Sequence, residues 1–487
     1  MHPFSIIRII GILLMIFSLL GNLPPLLVSL FYKDGMATDF LTACLIIFTP
    51  GCLLWALTAR RNNELTNRDG FLVVTLFWAV LGSAGCLPFW LSESITLSLT
   101  DAVFESVSGL TTTGATVISG LDNLPKSLLF YRQMLQWMGG MGIIVLALAL
   151  LPMLGIGGMQ LYRAESPGPI KDTKLVPRLA ETAKNLWYIY LTLTAACALS
   201  YWLAGMNLFD AICHSFSTIA IGGFSTHDDS LGYFQNPLVE AVAVLFMFIA
   251  GVNFALHFMT WSRKKESTVR HYFQDSEFRF YGFILLLVSF ATVSVLLISG
   301  TYGSADEALI KGIFQVVSFA TTTGFTTADF NSWPLFLPYV LLYAAIIGAC
   351  AGSTGGGMKV IRILLIFKQG IREVQRLIHP RAVIPIKLGR KVMPDRVVDS
   401  VWGFFAVYVM AYMFMLLALL ATGLDIITAF SAVGACINNL GPGLAEVSQN
   451  YADLNLTTKW ILCLAMLLGR LEVFTFLVLI TPMFWKR

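Results

Sequence analysis

Four short stretches of this chain end in glycine at a similar interval: Thr111-Thr112-Thr113-Gly114, Ala220-Ile221-Gly222-Gly223, Thr321-Thr322-Thr323-Gly324 and Asn438-Asn439-Leu440-Gly441. The terminal glycines lie 109, 101 and 117 residues apart, and each phrase sits between long apolar segments. A repeat of this length dictates architecture and has to be explained first. Its setting is a bilayer, because 57% of the 487 residues are hydrophobic and only 12% are charged. Mean hydropathy is +0.75, whereas a soluble domain is about one-quarter charged. Crossing the hydrocarbon core takes about 20 mostly apolar residues. Ten spans are predicted, at roughly 5–31, 39–58, 71–91, 128–152, 184–205, 236–262, 278–299, 335–369, 398–422 and 457–484. The first is too long for a signal-peptide core and lacks a clear cleavage site, so it reads as a true helix.

Positive charge sets the orientation. Arg60, Arg61 and Arg68 follow the second span; Arg163, Lys171, Lys174 and Arg178 share a later loop, and Arg263, Lys264, Lys265 and Arg270 another. The richest segment, 368–396, holds Lys368, Arg372, Arg376, Arg381, Lys387, Arg390, Lys391 and Arg396. Alternating crossings put all of these on one side with both termini, and that side is expected to be cytoplasmic. The opposite loops carry Asp228, Asp229, Asp329, Glu446 and Asp453. An acidic outer mouth would concentrate cations, although such carboxylates also serve as ordinary solvated loop charges.

The eight cysteines mostly lie in apolar runs without CxxC spacing and read as small buried residues. The six histidines form no HExxH or paired ligand motif, which leaves a metal enzyme without support. No clustered His, Cys or carboxylate constellation occurs in the spans, and no nucleic-acid partner is expected.

After two leading helices (residues 1–66), one order recurs four times: apolar span, short amphipathic segment, glycine loop, apolar span. The predicted modules are 67–180, 181–274, 275–394 and 395–487. The segments before the loops, Asp101–Leu110, Asp210–Ile219, Lys311–Ala320 and Thr428–Ile437, are too short to cross a membrane and suit re-entrant half-helices. Asp101 and Asp210 each stand 13 residues before the loop glycine and read as helix caps. Lys311 and Thr428 take that place in the other two copies. Ser108, Ser217, Ser318 and Ala435 each precede the loop glycine by six residues.

Irregular backbone at membrane depth is tolerated only where it is buried in protein or faces a water-filled cavity. Four converging loops can offer carbonyl oxygens in place of a cation's hydration shell. Glycine permits the backbone geometry and the close approach that this requires. One such loop reads as a tight turn or a helix-packing motif; four at matched places read as an ion filter.

On these phrases and this topology, the chain resembles the Trk/Ktr/HKT superfamily of potassium transporters over essentially its whole length, and most closely the bacterial TrkH-type membrane subunit. The resemblance implies an all-α polytopic membrane protein of four pseudo-symmetric helix–pore-helix–filter-loop–helix modules behind two extra helices. It implies a homodimer in the bacterial inner membrane. The filter is then Thr111, Thr112, Thr113, Gly114, Ala220, Ile221, Gly222, Gly223, Thr321, Thr322, Thr323, Gly324, Asn438, Asn439, Leu440 and Gly441. In the family, glycine at these positions goes with potassium preference and serine in the first module with sodium permeability, so Gly114 points to potassium. Loops two and four differ from TTTG, and fewer defined ion sites are expected than in a strictly four-fold channel.

The helices after the loops also align, with Gly142, Gly251, Gly352 and Gly469 each 28 residues past the loop glycine. The third interrupts its apolar run with Gly352, Ser353, Thr354, Gly355, Gly356 and Gly357. Consecutive glycines cost about 1 kcal/mol each in a helix interior, so a break at membrane depth is predicted. A packing surface of small residues is the alternative. The gate reading puts this loop beneath the filter, and the family does have an intramembrane loop in its third module. Arg470 lies midway along the last span, where a charge must face protein or water. It reads as a fixed positive charge below the filter, as the family places one, or as a partner of Glu472 or of broken-helix carbonyls. Lys359 is expected to help position the loop.

No Walker or GxGxxG motif is present. The resemblance implies a cytoplasmic ring of TrkA-type subunits carrying NAD(H) and ATP/ADP, with no organic cofactor on this chain. The basic 368–396 segment suits that docking, or equally a positive-inside signal with lipid phosphate contacts. The expected activity is gated potassium uptake. The alternative is potassium transport coupled to proton or sodium symport.

Overall fold

The computed structural model describes residues 2–59, 66–142, 179–262, 268–334, 336–389 and 391–486. The basic residues Arg60, Arg61, Arg163, Lys171, Lys174, Arg178, Arg263, Lys264, Lys265 and Arg390 lie outside them. Among the described residues the fold is helical, apart from a two-residue hairpin pairing Lys387 with Val392 and Leu388 with Lys391.

Among the described residues, six helical segments are long and apolar enough to cross a membrane: Pro3–Tyr32, Ala37–Thr58, Arg68–Leu91, Lys184–Leu203, Ser276–Ser299 and Asp395–Leu420. The remaining predicted spans are interrupted. Pro237–Ala250 and Phe254–Trp261 meet at a bend of 88°. Leu337–Ile347 and Val360–Ile378 are separated by non-helical backbone, and Leu456–Arg470 is followed by a break before Phe474–Ile480. Lys126–Trp137 runs into a π-helical turn, Met138–Gly142, beyond which the 128–152 span leaves the described residues. Only the third module was expected to break, yet all four helices that follow a glycine loop are irregular. The reason is crowding. A Cβ on Gly139 would lie 1.7 Å from the Leu110 carbonyl oxygen, and one on Gly469 would lie 2.2 Å from that of Ile437. These helices press on the ends of the short ones, and glycine alone admits the contact.

The short helices are Leu99–Leu110, Leu208–Ala220, Ala305–Ala320 and Ile426–Ile437. At about 1.5 Å per residue none reaches across a bilayer core of about 30 Å. Their starts differ from the expected ones. Asp101, Asp210 and Thr428 sit in the first turn rather than at the cap, and the third helix begins six residues before Lys311. The caps are Ser98, Asn207, Ser304 and Asp425, whose side-chain oxygens accept from the amides of Asp101, Asp210, Glu307 and Thr428. Asp101 instead receives the ammonium of Lys459 at 2.6 Å, and Asp210 accepts from the Thr226 hydroxyl at 2.7 Å.

Pro3–Tyr32 packs along Ala37–Thr58 and also touches Asn67–Ala84 and Lys126–Trp137. The two leading helices meet at Gly11 and Gly51. A Cβ on Gly11 would stand 2.8 Å from the Gly51 carbonyl, and one on Gly51 would stand 2.9 Å from that of Gly11. In lipid, such small-residue contacts replace the hydrophobic drive between helices. Gly51→Val is therefore expected to cost about 1–3 kcal/mol by overpacking. A lowered melting temperature of the purified protein in detergent checks this, and an unchanged one contradicts it.

Candidate functional site: a ring of four glycine loops

Each short helix ends in the same backbone turn. The amides of Thr113, Gly222, Thr323 and Leu440 all donate to the carbonyl five residues back, those of Ser108, Ser217, Ser318 and Ala435, at 2.8 Å in every case. What repeats at this position is thus a carbonyl, which alanine supplies as well as serine. Thr112, Ile221, Thr322 and Asn439 then take left-handed backbone, with φ of 57°, 55°, 66° and 53°. Gly114, Gly223, Gly324 and Gly441 follow at φ of 82°, 80°, 84° and 95°, a region that favours glycine.

The four turns close into a ring. A Cβ on Gly114 would lie 2.1 Å from the carbonyl oxygen of Gly222, and one on Gly223 would lie 2.1 Å from that of Thr323. A Cβ on Gly324 would lie 2.0 Å from the Leu440 oxygen, and one on Gly441 would lie 2.7 Å from that of Thr113. Each glycine thus receives the penultimate carbonyl of the next loop, in the cyclic order one, two, three, four, one. Residues up to 328 positions apart in sequence are brought together, and no Cβ fits at any of the four corners.

Side chains brace the turns differently. In loops one and three, Thr111 bonds Thr113 and Thr321 bonds Thr323, each at 2.7 Å between hydroxyls. Their first threonines also donate to Val107 and Val317. In loop four, Asn438 donates to the Gly434 carbonyl and accepts from the Tyr408 hydroxyl, while Asn439 donates to Thr113 Oγ1 at 2.9 Å and to the Met466 carbonyl. The Tyr451 hydroxyl donates to the Gly441 carbonyl at 2.7 Å. Around loops one and two, Arg132 pairs with Glu105 at 2.8 Å with both side chains buried, and it donates to the Ser225 carbonyl and to Thr116 Oγ1. Gln133 donates to the Phe224 carbonyl. Sequence reasoning missed Arg132, Gln133 and Gln136, although three polar residues on one face of an apolar span mark a buried polar contact.

The third-module break lies directly against one end of this ring. The Gly356 amide donates to Thr322 Oγ1 at 2.6 Å, and the Gly357 amide donates to the Asn438 carbonyl at 3.1 Å. Thr354 Oγ1 donates to the Ile219 carbonyl at 2.9 Å. A Cβ on Gly355 would stand 2.7 Å from the Thr321 carbonyl, and one on Gly356 would stand 1.9 Å from that of Asn438, which explains the run of glycines. The loop is held from below as well. Lys359 donates to the Gly355 carbonyl, Glu277 accepts from the Ala351 amide at 2.6 Å, and Ser353 Oγ donates to the Cys350 carbonyl. Gly352 and Cys350 exchange backbone bonds with Phe254 and Gly251, so the breaks of two helices are stitched together.

Arg470 completes this end. Its guanidinium donates to Thr112 Oγ1 and the Thr354 carbonyl, both at 3.3 Å, and to the carbonyls of Gly139 and Gly140. It also lies 4.9 Å from the Trp78 ring centroid. Glu472 meets Arg362. Carbonyl capping, one of the roles expected of Arg470, is therefore present, and the same contacts join loop one to the glycine loop.

On the opposite side, one of the acidic residues ties two loops together. Asp228 accepts from the amides of Gly120 and Leu121 at 3.0 Å each. All eight cysteines are free, and every one but Cys52 is fully buried.

A family model for TrkH, described as a cation transport protein, matches residues 37–487. The chain belongs to the TrkH family. It is 57% identical over 482 residues to the Trk system potassium uptake protein TrkH of Vibrio parahaemolyticus, covering 99% of each chain. It is 55% identical over 487 residues to the protein of the same name in Escherichia coli K12, covering all of both. Its fold matches the crystal structure of the potassium transporter TrkH from Vibrio parahaemolyticus with a TM-score of 0.91 and 54% identity, over all of both chains. This is a family of transporters, not enzymes, and the chain is a multi-pass membrane protein.

His227, in the loop beyond the second glycine and outside the membrane-spanning segments, joins the connection after loop one to the second short helix. Its ring stacks on Tyr233 with centroids 3.5 Å apart, and its nitrogens face Asp122 and, at 3.3 Å, Asp210. Burial pulls its pKa down most strongly, but the hydrogen bonds and charges of Asp210 and Asp122 prevail and raise it above 6.5. A raised folded pKa gives a stabilisation that is complete below the unfolded value and lost as pH rises through the folded one. The melting temperature is therefore expected to fall as pH rises above about 6.5, with His227→Gln removing that component. Equal pH profiles for the two proteins would contradict this.

Proposed function

We propose that the chain carries potassium into the cell through the ring of four glycine loops, one from each of four pore modules, with 67–180, 181–274, 275–394 and 395–487 as their extents. The cyclic packing of Gly114, Gly223, Gly324 and Gly441 against neighbouring carbonyls carries this reading. Carbonyl-rich backbone from four loops meets in one place, where it can replace water around a dehydrated cation. The relatives' names as potassium uptake proteins supply the ion. The membrane potential drives entry with about 2.3 kcal/mol per charge per 100 mV. In this reading Thr111–Gly114, Ala220–Gly223, Thr321–Gly324 and Asn438–Gly441 form the selectivity filter.

The loop 352–357 and Arg470 form the closed gate at the inner end. Three loop residues bond the end of the second short helix and two filter segments, and a guanidinium beside them opposes passage of a cation. Opening must detach Gly356 from Thr322 and Thr354 from Ile219 while Lys359, Glu277 and the stitched break at Gly251–Phe254 move with the loop. Helix Val360–Ile378 leads from the gate to the basic 368–396 segment, which is where a cytoplasmic TrkA-type ring with its NAD(H) or ATP/ADP would pull. The chain then sits as a homodimer in the inner membrane with both termini inside, basic loops inward and acidic loops outward.

Rubidium and sodium uptake into proteoliposomes tests this. Arg470→Ala and deletion of 352–357 are each expected to raise rubidium flux, and Gly114→Ser to admit sodium by forcing a side chain onto the Gly222 carbonyl. Unchanged flux in both gate variants would sink the gate, and unchanged selectivity in Gly114→Ser would sink the filter.

A further inference from the structure

Loop two lacks the threonines of loops one and three, and the structure shows what stands in their place. At the position of Thr113 and Thr323 it has Gly222, which has no side chain to brace the turn. The space is filled by Gln136, a fully buried residue of the helix that follows loop one. A Cβ on Gly222 would lie 2.4 Å from Gln136 Cδ and 2.5 Å from its Oε1. The two residues therefore exclude each other's larger form.

The Gln136 amide makes two bonds across the turn. Its Nε2 donates to the Gly222 carbonyl at 2.6 Å, and its Oε1 accepts from the Phe224 amide at 3.0 Å. One planar group thus grips the backbone on both sides of Gly223. The Gly222 carbonyl is also the one that abuts Gly114, so the same bond sets the spacing between loops one and two. Losing it would leave a buried carbonyl and a buried amide unpartnered, and both would rotate to find new partners.

We infer that Gln136 is a specificity-determining positioning residue. It replaces the threonine brace missing from loop two and fixes the Gly222 carbonyl against Gly114, and discrimination between potassium and sodium depends on that spacing. The inference rests on reading the four loops as the ion filter. It explains why loop two departs from TTTG: Gly222 is there because a glutamine from the neighbouring module needs its space. Gln136 touches backbone and acts on the ion only through Gly222.

The test is the ratio of rubidium to sodium uptake by the purified full chain in proteoliposomes. Gln136→Leu removes both bonds, and the near-isosteric Gln136→Glu keeps the acceptor for Phe224 while replacing the donor to Gly222 with a repelling oxygen. Each is expected to lower the ratio about fivefold to tenfold, the loss of roughly one buried hydrogen bond. Gly222→Thr alone is expected to lower it too, because its Cβ overlaps Gln136. Gln136→Ala combined with Ala220→Thr and Gly222→Thr supplies the pair of threonine hydroxyls found in loops one and three and is expected to recover the ratio, which simple loss of packing would not produce. If Gln136→Leu fails to fold, Gln136→Glu carries the measurement. Unchanged ratios in the glutamine variants, or a triple variant no better than Gly222→Thr, would overturn the inference. Gly114→Ser, run alongside, separates the two readings. A lowered ratio there with unchanged glutamine variants removes only the role of Gln136, whereas an unchanged ratio in Gly114→Ser removes the filter as well.

Discussion

The carbonyl oxygen preceding each loop glycine occupies the place where the neighbouring loop's glycine would carry a Cβ. Four such contacts, closing on themselves, tie together segments more than a hundred residues apart and leave none of the four glycines free to change. The surrounding architecture follows from holding that ring. The short helices must end in buried, left-handed turns, and capped half-helices of about four turns are what can deliver them to the middle of a membrane. The helices behind them must come close enough to brace the turns, and they yield at Gly139, Gly251 and Gly469, where contact with carbonyls or a tyrosine is closest.

The backbone of the ring is nearly four-fold, and its side chains are not. Loops one and three brace themselves through paired threonine hydroxyls, loop two borrows Gln136 and Gln133, and loop four reaches across to Thr113 through Asn439. The same asymmetry governs one end of the ring. The third repeat contributes a glycine loop that bonds to the end of the second short helix and to loops three and four, and the fourth contributes Arg470, which bonds to loop one. A nearly symmetric ring thus meets two asymmetric parts, and these are themselves joined by the bond from Arg470 to the Thr354 carbonyl.

The glycine period, the short helices before the loops and the break at 352–357 were legible because each leaves a local signal: a spacing, a length, a run of glycines. The cap positions were misjudged because Asp101 and Asp210 look like caps while Ser98 and Asn207, three residues earlier, are the residues whose oxygens meet the free amides. The breaks at Val252–Asn253 and Leu471–Val473 were not legible, since a single glycine in an apolar run does not reveal the tyrosine or the carbonyl of another helix pressing on it. Gln136 was missed for the same reason. Its partners lie in another repeat, and a one-dimensional reading sees Gln136 as a polar residue in a span rather than as the brace of a loop 86 residues away.

The central claim is that the four loops hold a dehydrated cation between them. Crystals or frozen particles of the full chain prepared with rubidium in place of potassium test it most directly. The account predicts rubidium density on the axis enclosed by Thr111–Gly114, Ala220–Gly223, Thr321–Gly324 and Asn438–Gly441, lost in Gly223→Ala, where a Cβ meets the Thr323 carbonyl. Rubidium bound only elsewhere in the membrane segment, with the ring empty, would contradict it.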